Sequence, residues 1–303
     1  MGNPNRRIWS KGIKETREGK RVNTMLHSRE KILKLCQRIN MPTEMTAKIA
    51  NELDHFDFAH VARFLPELIV PATGSYALAS ITGALDGYGL RILTACLSVA
   101  IDSEREIYAT RGISDKIYTD TMSVFTVMVN EYHGIHGVYG FDSMRWIWRQ
   151  LSGSLYRLGT LEFEMIRYSG DDPTGQLEKN TPLLSVHIPS NAILSREEID
   201  KSYAQAREFF ANTEYANAPF YCWSWLLSPK LLKMLPESSG ILRFMNDFEI
   251  ISENPNGDAA NIRVFKKLFH TLECLPEDTS LQRNLKKLLL QGEQLGDAEG
   301  FIA

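Results

Sequence analysis

The sequence is poor in cysteine and has no excess of either charge. Its 303 residues hold four cysteines, Cys36, Cys96, Cys222 and Cys274, far apart and without a C-x-x-C pair, which fits neither a disulfide framework nor a zinc site. A reducing, cytoplasmic setting is expected. Lys and Arg total 34 against 37 Asp and Glu, a net charge of −3, so no global field draws a polyanion and no nucleic-acid partner is expected. A convincing membrane span is also lacking. Leu68 to Leu85 carries no charge, but Pro71, Gly74, Gly83 and several Ser and Thr make it too polar for one. The segment Met1–Arg21 is polar and basic without the apolar core of a secretory signal, and Arg6 stands where a myristoylation signal needs Ser or Thr. A flexible basic arm over residues 1–22 is expected. There is no internal repeat.

What is present is a folded chain: 44% hydrophobic, 10% aromatic and 23% charged residues suit a globular protein. Residues 23–150 read as helices. Ile32, Leu35, Cys36 and Ile39 form one apolar stripe, and Met45, Ile49 and Leu53 the next, with Pro42-Thr43 between them. Tyr76 to Ile81 and Leu90 to Ile101 are apolar on most sides, as in helices surrounded by others. Ser114 is placed to cap a segment in which Ile117, Tyr118, Met122, Phe125, Met128, Val129 and Tyr132 keep the helical rhythm. Near residue 150 the period changes from 3.6 to 2 and turn signals become dense, so the domain boundary is placed there.

From Leu155 the reading is one strand through Met165, a turn at Asp172-Pro173-Thr174-Gly175 and an antiparallel strand over Leu184 to Ile188. Ser195-Arg196-Glu197-Glu198 has capping-box spacing and opens a helix to about Asn212. A strand over Phe220 to Leu227, a short helix from Pro229, an alternating strand over Ile241 to Ile251 with Phe248 and Ile250 inward, and two final helices complete the reading ββαβαβαα.

Several chemical readings fail on spacing. Ser224 has no G-x-S-x-G elbow around it, and Cys222 reads as a buried small apolar group. The pairs His133/His136 and His55/His60 have no third ligand at a recognisable interval, so no metal is expected. Trp146 and Trp148 read as packing between domains.

Four separated segments carry a family resemblance: Leu155-Tyr156-Arg157-Leu158-Gly159-Thr160-Leu161-Glu162-Phe163-Glu164, Leu184-Ser185-Val186-His187-Ile188-Pro189, Cys222-Trp223-Ser224-Trp225-Leu226-Leu227 and Ile241-Leu242-Arg243-Phe244. In this order they resemble the bacterial acyltransferase domain-containing proteins of the GNAT superfamily, in which a helical N-terminal domain precedes a GNAT-like C-terminal domain. The stretch Asp278-Thr279-Ser280-Leu281-Gln282-Arg283 is similar to the same family's ending. The fold class this implies is α+β: a helical domain over 23–150 and a GNAT-like α/β domain over 151–303 with a mainly antiparallel mixed sheet.

The resemblance implies an acyl-coenzyme A donor, acetyl-CoA or a longer acyl-CoA, and an amine acceptor attacked directly; a homodimer is a superfamily expectation. Such a site needs amides at a helix N-terminus to receive a pyrophosphate and a group to take the amine's proton. The donor-binding candidates are Ser190, Asn191, Ala192, Ile193, Leu194 and Ser195, flanked by His187 and Ile188, together with Trp225. No glycine lies between Gly175 and Gly240, whereas the superfamily signature has a glycine-containing loop here. For the proton, His187 at its strand end, Glu164 and Glu162 on one strand face, and Tyr156 as donor or relay stay open as alternatives. A non-catalytic module that binds an acyl ligand or a protein partner is the competing class.

Overall fold

The computed structural model describes residues 29–55, 57–142, 145–170, 175, 177–266 and 271–302. The basic arm over 1–22 and all of the turn at 172–175 except Gly175 lie outside them. The chain divides into two compact units, residues up to 133 with 137–157, and residues 134–136 with 158–303.

The first unit is helical: α1 (Arg29–Arg38), α2 (Thr43–Leu53), α3 (Gly74–Ala84), α4 (Gly89–Ser103), α5 (Asp115–Met122), α6 (Val124–His136) and α7 (Trp148–Leu151). Its centre is α4, where Ile92 through Ala100 are all buried and α1 and α2 pack alongside. A helix enclosed in this way carries apolar residues on most sides, as its sequence does from Ile92 to Ala100. The Thr94 hydroxyl is satisfied within the helix, donating to the Leu90 carbonyl at 2.8 Å, while that of Ser103 donates to the Leu151 carbonyl. The predicted cap is present, since the Ser114 side chain accepts from the Ile117 amide. After α4 the chain passes through a π-helical turn over Glu104–Tyr108. Tyr108 stands edge-on to Tyr118 and to Tyr156, with ring centroids 5.1 and 5.5 Å apart. All three rings are buried, so their hydroxyls need partners: Tyr108 donates to the Gln150 carbonyl and Tyr118 to the Ala100 carbonyl.

The remaining elements are β1 (Leu155–Leu158), β2 (Leu161–Arg167), β3 (Pro182–His187), α8 (Arg196–Phe210), β4 (Phe220–Ser224), α9 (Gly240–Met245), β5 (Glu249–Asn254), α10 (Ala259–Phe265), α11 (Ser280–Leu290) and β6 (Asp297–Ile302). The six strands form one sheet in the order β1-β2-β3-β4-β6-β5. Strands β3 and β4 are parallel, while β2–β3, β4–β6 and β5–β6 are antiparallel. The mixed, mainly antiparallel sheet is the one expected.

Five local readings need correction. The first predicted strand is a hairpin, because Gly159 has φ +71° and turns the chain between β1 and β2. The predicted strand from Phe220 stops at Ser224, whose hydroxyl accepts from the Leu226 amide and starts a 3-10 turn over Trp225–Leu227. Ile241 to Met245 is helical, not extended; Ser239 caps α9 by accepting from the Ile241 amide, and the strand begins at Glu249. A register irregularity between Ile250 and Ser252 then buries Ile251 in place of Ile250. Finally the chain does not close on two helices: β6 follows them and inserts between β4 and β5.

Each face of the sheet has its own core. Phe220 on β4 lies 5.3 Å from Phe163 and stacks on Tyr203 of α8. The opposite face carries Tyr168, Leu177, Leu183, Ile251 and Phe301, with Ile166 and Tyr221 against them.

A Cβ on Gly159 would come 2.5 Å from the Ser202 hydroxyl, and its left-handed backbone disfavours any L side chain. Gly159→Ala is therefore expected to cost about 2 kcal/mol, read as a lowered midpoint in denaturant unfolding. Burial raises the Cys36 and Cys96 thiols to about 12 and the Cys222 thiol higher still, leaving Cys274 as the exposed cysteine. Titration of the native protein with a disulfide reagent at mildly alkaline pH should accordingly show one fast thiol, lost in Cys274→Ser.

Candidate active site

Antiparallel pairing places directly opposed side chains on one face of a sheet. Glu162 is opposite His187 and Glu164 opposite Ser185, so the two carboxylates and the imidazole share a face. There His187 Nε2 lies 2.9 Å from Glu164 Oε2. An ionised carboxylate accepts such a bond from a ring N–H. Neither glutamate lies on a solvated strand face. Glu162 is buried, Glu164 nearly so, and the His187 side chain is one-quarter exposed.

The parallel pair β3–β4 sets what lies beside this group. Its paired residues are Leu184–Phe220 and Ser185–Tyr221, yet β3 runs on to His187 and β4 to Ser224. The sheet therefore parts at the carboxyl ends of two parallel strands, the position where open α/β sheets place their ligands. Counting on from Ser185–Tyr221, His187 and Trp223 face each other across this parting, on the same side of the sheet.

The expected donor loop follows β3. Ser190 and Asn191 form a turn closed by the Ala192 amide donating to the Pro189 carbonyl at 2.8 Å. The Ile193 amide donates to Thr160 Oγ1 at 2.6 Å, and Ser195 caps α8 by accepting from the Glu198 amide. The Leu194 carbonyl packs so closely on Gly240 that a Cβ there would lie 2.4 Å from it. No residue from 188 to 196 has a positive φ, so the loop reaches its shape without glycine. Its surroundings are charged: Arg196 forms a two-oxygen ion pair with Asp247 at 2.7 and 2.8 Å and also pairs with Asp200, while Glu197 and Glu198 both engage Lys201. Those partners hold the Arg196 guanidinium firmly protonated.

The other candidates are placed differently. Tyr156 belongs to the helical unit, where its hydroxyl accepts from Arg111 Nη1 at 2.6 Å while the same nitrogen donates to the Gly153 carbonyl. Burial raises this phenol, with Arg111 acting in the opposite direction. Ile188 is half-buried just beyond β3, and Trp225 is half-buried at the start of the 3-10 turn after β4. Among the described residues no group of three or more His, Cys, Asp and Glu side chains is placed to hold a metal ion, and no helix is long and apolar enough to cross a membrane.

Two residues on this face escaped the sequence reading because their strand did. Asp297 and Glu299 of β6 stand beside β4, where Trp223 Nε1 donates to Asp297 Oδ1 at 2.7 Å and the Tyr221 hydroxyl donates to Glu299. Burial, then Glu299, pushes the Tyr221 phenol upward.

Residues 28–153 match the N-acyltransferase N-terminal domain and residues 155–302 the GNAT-like C-terminal domain. The chain belongs to the acyltransferase family built from these two domains. Among solved structures its fold is similar to an acyltransferase in complex with decanoyl-CoA and teicoplanin, at 23% identity and a TM-score of 0.74, over 90% of this chain and 87% of that one. Similar values hold for a variant acyltransferase with octanoyl-CoA. A complex with decanoyl-CoA alone matches at 22% identity and a TM-score of 0.69, over 89% of this chain and 86% of that one. No curated protein matches the sequence.

The packing of Gly240 on Leu194 makes the loop testable. Gly240→Ala should displace the Leu194 carbonyl and lower thermal stability. Gly134→Ala, a helical position with open space around it, should be neutral or stabilising by up to about 1 kcal/mol. Calorimetric melting of both variants reads the difference.

Proposed function

We propose that the protein transfers an acyl group from an acyl-coenzyme A to an amine, at the parting of β3 and β4, with the His187–Glu164 pair taking the amine's proton. The observation that carries this reading is the hydrogen-bonded imidazole and carboxylate at the open carboxyl ends of the two parallel strands. Family membership and the acyl-CoA complexes of similar folds support it.

The chemistry follows from these positions. Amides of the loop at 190–195 other than those of Ala192 and Ile193, with the N-terminus of α8, a helix of 15 residues, favour an anion such as the donor's diphosphate. An acceptor arriving as R–NH3⁺ gives one proton to Nδ1 of His187, and Glu164 stabilises the imidazolium through Nε2–H. The freed amine nitrogen attacks the thioester carbonyl. Collapse of the tetrahedral intermediate breaks the carbon–sulfur bond and releases coenzyme A as a thiolate that takes up a proton. The products are the amide, coenzyme A and one net proton. Glu162, in register with His187, adds negative charge on the face where imidazolium forms. Tyr156 has its hydroxyl engaged by Arg111 and serves the helical core in this scheme.

The non-catalytic module has one observation in its favour: Glu197 and Glu198 stand in the first turn of α8, where negative charge opposes an anion. Titration calorimetry with decanoyl-CoA separates the two readings, since saturable binding followed by amine-dependent thiol release belongs to the enzyme alone. His187→Ala should lower kcat by roughly 10²–10⁴-fold and leave decanoyl-CoA binding unchanged. Glu164→Gln should fall between wild type and His187→Ala. Full activity in both variants would remove the pair from the mechanism.

A further inference from the structure

The face that carries His187 continues across β4 and β6. Glu162 opposes His187 on β2–β3, and Trp223 opposes Glu299 on β4–β6. Reading across the sheet, the row is carboxylate, imidazole, parting, indole, carboxylate. Two features set the indole apart. Trp223 is 67% exposed, among the described residues the large apolar side chain most open to solvent after Tyr76, yet it is not a loose surface ring. Its N–H is held at 2.7 Å by Asp297, a carboxylate that is itself 9% exposed. Room for that anchor comes from Gly257, where a Cβ would fall 1.8 Å from Asp297 Oδ2. Next to it, Glu299 accepts from Tyr221. Among the described residues the donors to Asp297 and Glu299 are thus an indole and a phenol, neither of them a cation.

A fixed aromatic face beside two carboxylates is a surface for positive charge. Cations are attracted to the negative face of the indole ring, and donation of its N–H to an anion raises the electron density of that face. We propose that Trp223 selects the acceptor: its indole, oriented by Asp297, is the platform on which an organic ammonium group of the acceptor rests, across the parting from His187. This rests on the acyl-transfer reading above and adds to it the residue that discriminates a cationic acceptor from a neutral one of the same shape. The platform occupies the β4 side of the parting and the proton-accepting pair the β3 side, so a ligand bound on one is presented to the other.

The test uses the full chain and two probes of equal shape, choline and its uncharged isostere dimethylbutanol, with binding followed by ligand-observed NMR. Wild type should prefer choline by roughly two- to five-fold. Trp223→Ala should erase the preference, and Trp223→Phe, which keeps a ring but loses the anchored N–H, should retain part of it. Decanoyl-CoA affinity, measured on the same samples, should not change. A Trp223→Ala protein that keeps the choline preference, or a wild type that does not discriminate, overturns the proposal. If decanoyl-CoA binds neither wild type nor variant, the acyl-transfer reading fails, while the choline comparison still decides the role of Trp223.

Discussion

Two parallel strands that pair at Leu184–Phe220 and Ser185–Tyr221 and then run on apart shape the second unit. Pairing holds the strands together at one end through ladder hydrogen bonds and the packing of Phe220 between Phe163 and Tyr203. At the other end the backbone groups of His187 and of residues 222–224 face a parting in place of a neighbouring strand. Everything chemically distinctive about the unit is arranged around that end. The imidazole is braced by Glu164 from β2, the indole by Asp297 from β6, and the loop after β3 by Thr160 and Gly240.

The bracing has a common form. Each functional element is held by a neighbour whose small or polar residue allows a close approach. Gly159 turns the hairpin so that the Thr160 amide meets the Ser202 hydroxyl at 2.8 Å and Thr160 Oγ1 meets the Ile193 amide. Gly240 lets α9 sit on the Leu194 carbonyl, and Gly257 admits Asp297. Buried polar groups satisfied in this way hold one arrangement in preference to others. A loop with two such supports keeps a defined shape without glycine of its own. The missing glycine therefore bears on what the loop binds and not on whether it can form.

Much of this was legible in the sequence, and the failures share a cause. Helices with a strong apolar stripe, such as α1 and α2, or with a Ser cap, such as α5 and α8, read directly, because both are local properties. The common face of Glu162 and Glu164 was legible too, whereas the register that adds His187 to it comes from the β2–β3 pairing. The errors fall where tertiary pairing overrides local pattern. Ile241 to Met245 alternates like a strand and is a capped helix, while Ile251 takes the buried place of Ile250 at a bulge that only pairing with β6 defines. Asp297 to Ile302, with its acidic residues and Gly300, has little strand character, and its extended form comes from the edges of β4 and β5 that it joins. Missing that strand hid the Asp297–Trp223 contact, although Trp223 itself stood in one of the motifs. The burial of Glu162 and Glu164 was likewise invisible, since charged strand positions ordinarily face water.

The central claim is that the parting of β3 and β4 brings the donor's thioester to the His187–Glu164 pair. A crystal structure of the protein with decanoyl-CoA tests it most directly. The account predicts the thioester carbonyl at the carboxyl ends of the two strands, with the diphosphate on the loop at 190–195. Decanoyl-CoA bound elsewhere on the chain, with the strand ends unoccupied, would contradict it.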